Sequence, residues 1–350
     1  MEKKTNELIK KALDMASLSQ DEAVFLLALP LCSEAVYAVM AAANTLSRSS
    51  FGNKGERHLH IGLNAGPCPY NCRFCSLAKN LGLFTTEIVF PGQQVLQWAI
   101  DAQAEGADAL NIMTTGSFPF ERLLEVGQML KSHVNTPLVA NTRDINTKEG
   151  RALVDAGFSG FYHAVRLGEG KDTPFPRQKR LETIRAIKES GLLWMNCIEP
   201  VGPEHDKHEI ADLMVLAYEN KAVYSGIMRR INFPGSPFER FGMINEMELA
   251  RMEAVSRLVM ADVCRAHCTH EPNSAALLAG GNLFFPEKGS SPRDREAETG
   301  TGRGASMERC AALLDEMGWA VNLPSNVFDA KPLKNRRPNC ASVLQGPLPA

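Results

Sequence analysis

The chain has 350 residues, 44% of them apolar and 22% charged, with a formal net charge of −2. That length allows one large domain or two small ones, and the near-neutral balance gives no global basic field for nucleic acid or an anionic membrane. Nine cysteines, an odd number, in a chain without export features point to metal or redox use in a reducing cytoplasm.

The opening Met1-Glu2-Lys3-Lys4-Thr5-Asn6-Glu7 carries charge but neither the apolar core nor the cleavage site of a secretory signal. Residues 1–55 read as a helical extension packing outside the main domain. Leu8, Ala12, Met15 and Leu18 share one face of a first helix. Ser19, ahead of Asp21 and Glu22, caps a second starting near Gln20, which Pro30 ends or kinks. The run 23–43 comes nearest to membrane length, but Pro30 and Glu34 interrupt it, so no span is expected.

A strand over 58–63 follows, and then helix and strand alternate. Helices over 92–105, 119–133, 147–156, 176–190, 206–220, 245–260 and 272–279 precede strands over 108–113, 138–141, 160–164, 192–198, 226–232, 263–267 and 282–285. A last helix covers 306–317. About eight β/α units predict an α/β fold, a closed (β/α)8 TIM-type barrel over 56–320 with its chemistry at the C-terminal strand ends. The stretch 286–304, rich in Gly, Ser, Pro and charge, reads as a solvated loop, a lid or carrier-protein contact being the alternative. Residues 321–350 read as a C-terminal tail without a core.

The chemistry gathers in Cys68-Pro69-Tyr70-Asn71-Cys72-Arg73-Phe74-Cys75, directly after the first strand. Three thiols in eight residues can face one metal centre, and thiolates select zinc or iron–sulfur clusters. Structural zinc takes four ligands, and no second pair with matching spacing follows. Three ligands leave one corner of a cubane cluster open.

This CxxxCxxC run, with an aromatic residue before its last cysteine, resembles the signature of the radical S-adenosylmethionine (SAM) enzymes. The resemblance implies that Cys68, Cys72 and Cys75 hold a 4Fe–4S cluster and that SAM completes it. It also implies that SAM is cleaved to a 5′-deoxyadenosyl radical and that Phe74 lies near the adenine. Arg177 to Ile184, Pro200-Val201-Gly202, Pro234-Gly235-Ser236-Pro237 and Ala279 to Phe285 are similar to passages of the biotin synthase branch. That branch also holds lipoyl synthases of archaeal type, a hydrogenase maturase and methylornithine synthase. The resemblance makes Arg180 a contact of the SAM carboxylate and sets Thr115, Gly116 and Ser117, after Thr114, against its methionine part. It sets Asn141 near ribose or substrate, and His163 and Arg166 at the substrate.

Biotin synthases hold a second, 2Fe–2S cluster on three barrel cysteines and an arginine. The matching positions here are Asn111, Asn141 and Met195 or its neighbours, without cysteine, although Cys197 lies on the same strand face as Met195. Cys264 and Cys268, with one or two of Cys197, Cys310 and Cys340, are therefore the candidate ligands of a second iron–sulfur cluster; a structural zinc or plain buried thiols are the alternatives. The leading expectation is radical sulfur insertion of lipoyl or biotin synthase type. The other is a sulfur-free radical reaction on a small amino-acid-like substrate. The partners implied are a flavodoxin- or ferredoxin-type reductant, a small-molecule or carrier-protein-bound substrate and a second radical SAM enzyme.

Overall fold

The computed structural model describes residues 1–329. Eight parallel strands form the centre: β1 (Glu56–Gly62), β2 (Ala109–Met113), β3 (Leu138–Asn141), β4 (Phe158–Tyr162), β5 in two halves (Leu193–Met195 and Ile198–Val201), β6 (Tyr224–Arg229), β7 (Ala266–Cys268) and β8 in two halves (Leu283–Phe284 and Glu287–Gly289). Each pairs with the next, and both halves of β8 return to β1. The first half of β5 pairs with β4 and the second with β6. Val223 N–H donates to Trp194 O at 2.9 Å and Asn196 N–H to Tyr224 O at 3.2 Å, which carries the ring across that seam. The expected α/β barrel is what the chain forms. The halves of β8 meet around Pro286, which has no N–H to give to a ladder.

The helices are α1 (Glu2–Leu13), α2 (Gln20–Leu27), α3 (Glu34–Phe51), α4 (Gly92–Ala104), α5 (Phe120–Lys131), α6 (Thr147–Asp155), α7 (Arg177–Glu189), α8 (Lys207–Glu219), α9 (Glu246–Val259), α10 (Ser274–Leu278) and α11 (Met307–Glu316). Helix α2 opens on the Ser19–Glu22 capping box, with α6 and α9 capped the same way by Asn146–Glu149 and Asn245–Glu248. Helices α1, α2 and α3 pack on α8 and α9, outside the barrel as expected, and share its apolar core. That cover buries α9 from Leu249 to Val259 on every side.

Period-two alternation decides what the barrel encloses. Leu59 and Ile61 of β1 and Leu110 and Ile112 of β2 join the apolar shell under the helices. Inside the ring sits a second cluster, with Ala109, Val139, Tyr162, Met195, Cys197, Tyr224 and Cys268 among its members.

The structure corrects four expectations. Strands β4 and β6 begin two residues early, because Gly160 and Gly226 lie within strands rather than opening them; a Cβ on Gly160 would meet Met195 Sδ at 2.6 Å. Met15 lies beyond the end of α1, with φ at +62°. The stretch 286–304 is packed: Glu287 extends β8, Ser76 N–H donates to Pro292 O at 2.9 Å, and Ser290, Ser291 and Asp294 are buried. Part of the expected tail also has a core. Val327 is fully buried against the barrel's lower cluster with Phe328 beside it, and Glu56 takes hydrogen bonds from Ser325 Oγ (2.7 Å) and Asn326 N (2.6 Å). This segment plugs the N-terminal end of the barrel.

Candidate active site

The cysteine loop leaves β1 at the C-terminal rim and is tied shut by its own backbone. Cys68 N–H donates to Leu77 O at 2.7 Å, Lys79 N–H to Cys68 O at 3.0 Å and Cys75 N–H to Cys72 O at 3.0 Å. Asn71 turns it with φ at +51°, and its side chain accepts from Asn80 N at 2.8 Å. Arg73 clamps the loop to Asp172 through a 2.7 Å ion pair. Cys68, Cys72 and Cys75 all line one open cavity at the barrel mouth. Burial pushes the Cys72 and Cys75 thiols up, and their neighbouring thiols add to it. Among the described residues no three His, Cys, Asp or Glu side chains stand close enough to grip an ion as they are. The soft donor set and its shared outlook onto one cavity still fit a cluster with one open corner.

Phe74, Thr115, Gly116, Asn141, Arg166 and Arg180 line the same cavity. Gly116 has to be glycine, since a Cβ there would run into the Tyr70 ring of the cysteine loop. Thr115 is already engaged: its N–H donates to Asn64 Oδ1 at 2.9 Å and its hydroxyl accepts from Asn64 Nδ2 at 2.7 Å. Arg180 is buried, stacked over Phe175 at 4.0 Å, and pairs with Asp144 at 3.0 Å and Glu169 at 3.2 Å. Phe175 in turn meets Tyr70 edge-on at 4.7 Å, so α7 and the cysteine loop share one contact chain. Burial opposes the Asp144 carboxylate, but His163, Arg180 and Thr183 hold its pKa well below the usual value. Arg166 pairs with Glu199 at 3.1 Å and lies over the Phe74 ring; despite burial, Glu199 and Glu169 reinforce its charge.

Three expectations change. Ser117 is exposed and off the cavity, its hydroxyl 3.1 Å from that of Thr115. His163 faces outward behind the wall, 3.3 Å from Asp144, and so supports Arg180's partner rather than lining the cavity. Cys264 and Cys268 do not converge. Cys264 Sγ lies in the outer shell against Ala222 O (3.2 Å) and Met260 Sδ (3.4 Å), whereas Cys268 faces into the barrel, 3.3 Å from Cys197 Sγ. Cys310 belongs to a separate apolar cluster under α11, and Cys340 lies outside the described residues.

The deeper wall was not singled out from sequence, though strand alternation could have found it. His60 and Asn111 stand side by side on β1 and β2, and His60 pairs in register with Glu287. His270 Nδ1 accepts from Arg293 Nη2 at 2.6 Å, which leaves its Nε2–H toward Glu287 at 3.5 Å. Arg293 also pairs with Glu287 at 3.1 Å. Burial lowers the His60 pKa to about 4 and holds that of His270 well below the usual imidazole value, so both rings are neutral near pH 7. Burial likewise raises Tyr162 and Tyr224 well above the usual phenol value.

No family model matches the chain. Among curated proteins it is similar to the biotin synthase of Desulforudis audaxviator, 27% identical over 268 residues, covering 72% of this chain and 78% of that one. The biotin synthase of Clostridioides difficile is 22% identical over 294 residues, covering 81% and 86%. Among solved structures, methylornithine synthase superposes with a TM-score of 0.76 at 16% identity, over 91% of this chain and 98% of that one. The FeFe-hydrogenase maturase of Carboxydothermus hydrogenoformans gives 0.75 at 14% identity, over 97% and 82%. The structures speak for the fold, the curated relatives for descent.

Proposed function

The chain belongs to the biotin synthase-like branch of the radical SAM superfamily, and on that premise we propose that it abstracts hydrogen from a small substrate held inside the barrel, without a sulfur-donating auxiliary cluster. When bound, a 4Fe–4S cluster and SAM supply the electron and the 5′-deoxyadenosyl radical for that abstraction. Cys68, Cys72 and Cys75 would hold the cluster. Arg180, held by Asp144, Glu169 and Phe175, keeps its Nη2 to donate to a carboxylate, and the close Gly116–Tyr70 contact shapes the rim beside it. The barrel wall keeps water and quenching groups from the reacting carbon. A flavodoxin- or ferredoxin-type protein would deliver the electron.

The observation that carries the sulfur-free reading is that Asn111 and Asn141 line the cavity where, by resemblance, cluster cysteines would stand, while Cys264 faces away. Sulfur insertion of biotin or lipoyl type is the second reading, favoured by the names of the curated relatives and by the inward Cys197–Cys268 pair. Iron and acid-labile sulfide, measured anaerobically, separate the two. The Cys68/Cys72/Cys75→Ala variant is expected to hold no iron, and Cys268→Ser to keep the wild-type amount. Residual iron of about two atoms per chain in the triple variant would revive sulfur insertion.

A further inference from the structure

The deep end of the cavity carries more hydrogen-bonding capacity than the protein uses. His60 Nε2, both amide atoms of Asn111 and the Tyr224 hydroxyl are buried without a partner. All three side chains line the cavity, and each is more than nine-tenths buried. Tyr162 stands beside them, next to the Cys197 thiol. Such groups cost stability when left unpaired, so their concentration on one wall calls for a ligand. The charge at this depth is already balanced, since Glu287 answers Arg293 and the two imidazoles are neutral. A charged ligand end would bring an uncompensated buried charge, and an alkyl chain would leave every polar atom unpaired.

We propose that this floor binds the far end of the substrate through an uncharged group that both donates and accepts hydrogen bonds, a hydroxyl or a carboxamide. A saturated acyl chain is excluded. The inference takes the cavity as a substrate site from the preceding section, but it needs neither cluster nor SAM to be tested.

Two measurements on the full chain decide it. Thermal unfolding of ligand-free protein should show Asn111→Leu and the near-isosteric Tyr224→Phe each raising Tm by about 2 °C, since each removes an unpaired buried polar group. Ligand-observed saturation-transfer NMR should show contact with butyramide or 1,4-butanediol and none with octanoate, and Asn111→Leu should weaken the butyramide contact about tenfold. A fall in Tm for both variants marks these groups as structural and overturns the proposal. So does octanoate binding that survives as the stronger contact, or no contact from any probe. If the polar probes bind but reduced, SAM-loaded protein releases no 5′-deoxyadenosine, the radical reading fails and the floor stands.

Discussion

Asp144 is where the rim is held in place. Its carboxylate gathers Arg180, Thr183 and His163, and Glu169 and the Phe175 ring hold Arg180 as well. Asp144→Asn should therefore leave the fold intact but loosen Arg180, raising KM for SAM about tenfold with kcat much less affected. A matching loss in kcat alone would show that Asp144 acts elsewhere. Cys264 gives the contrasting case: packed between Ala222 and Met260, it should tolerate change to Ala with iron content and turnover unchanged and stability lower by about 1 kcal/mol, read from urea unfolding. The cysteine loop could be found from sequence because its spacing is local. Asp144 could not, because its meaning depends on α7 arriving 36 residues later.

At the scale of elements, the β/α alternation was legible because each strand and helix follows its own apolar period. What sequence reading missed lies where long-range packing overrides local composition. Residues 286–304 look like solvated loop by their Gly, Ser and charge, yet Glu287 pairs with β1 and Ser291 hydroxyl donates to Glu287. The segment from Val321 on looks coreless because its apolar packing is sparse: Val321 beside Trp319, then Val327 and Phe328. Changing Val327 and Phe328 to Ala should cost about 3 kcal/mol in urea unfolding, since a fully buried side chain and its lid over the barrel end are lost together. An unchanged midpoint would mean that the plug adds nothing to stability. Cys264 and Cys268 misled for a related reason: Cys264 lies two residues before β7 and Cys268 ends it, and one turns to the helices while the other turns to the barrel.

For the whole molecule, buried neutral histidines work against the fold as pH falls. Unfolded His60 takes a proton below about pH 6.5, whereas folded His60, facing Glu287, Arg293 and His270, stays neutral down to about 4. Its contribution is complete above pH 6.5 and is lost as pH falls through that window, about 3 kcal/mol in all. His270 and His267 push in the same direction. His60→Gln should flatten the dependence of unfolding free energy on pH between 6.5 and 4; an unaltered slope would place the proton uptake elsewhere. No described helix is long and apolar enough to cross a membrane. The plug at the barrel's lower end bears on how the cavity can be used. Among the described residues Val327 and Phe328 close the lower end, so the cavity opens at the rim where the cysteine loop and Arg180 stand. Whatever settles at the rim traps whatever lies beneath, so visitors to the floor must enter first and leave last.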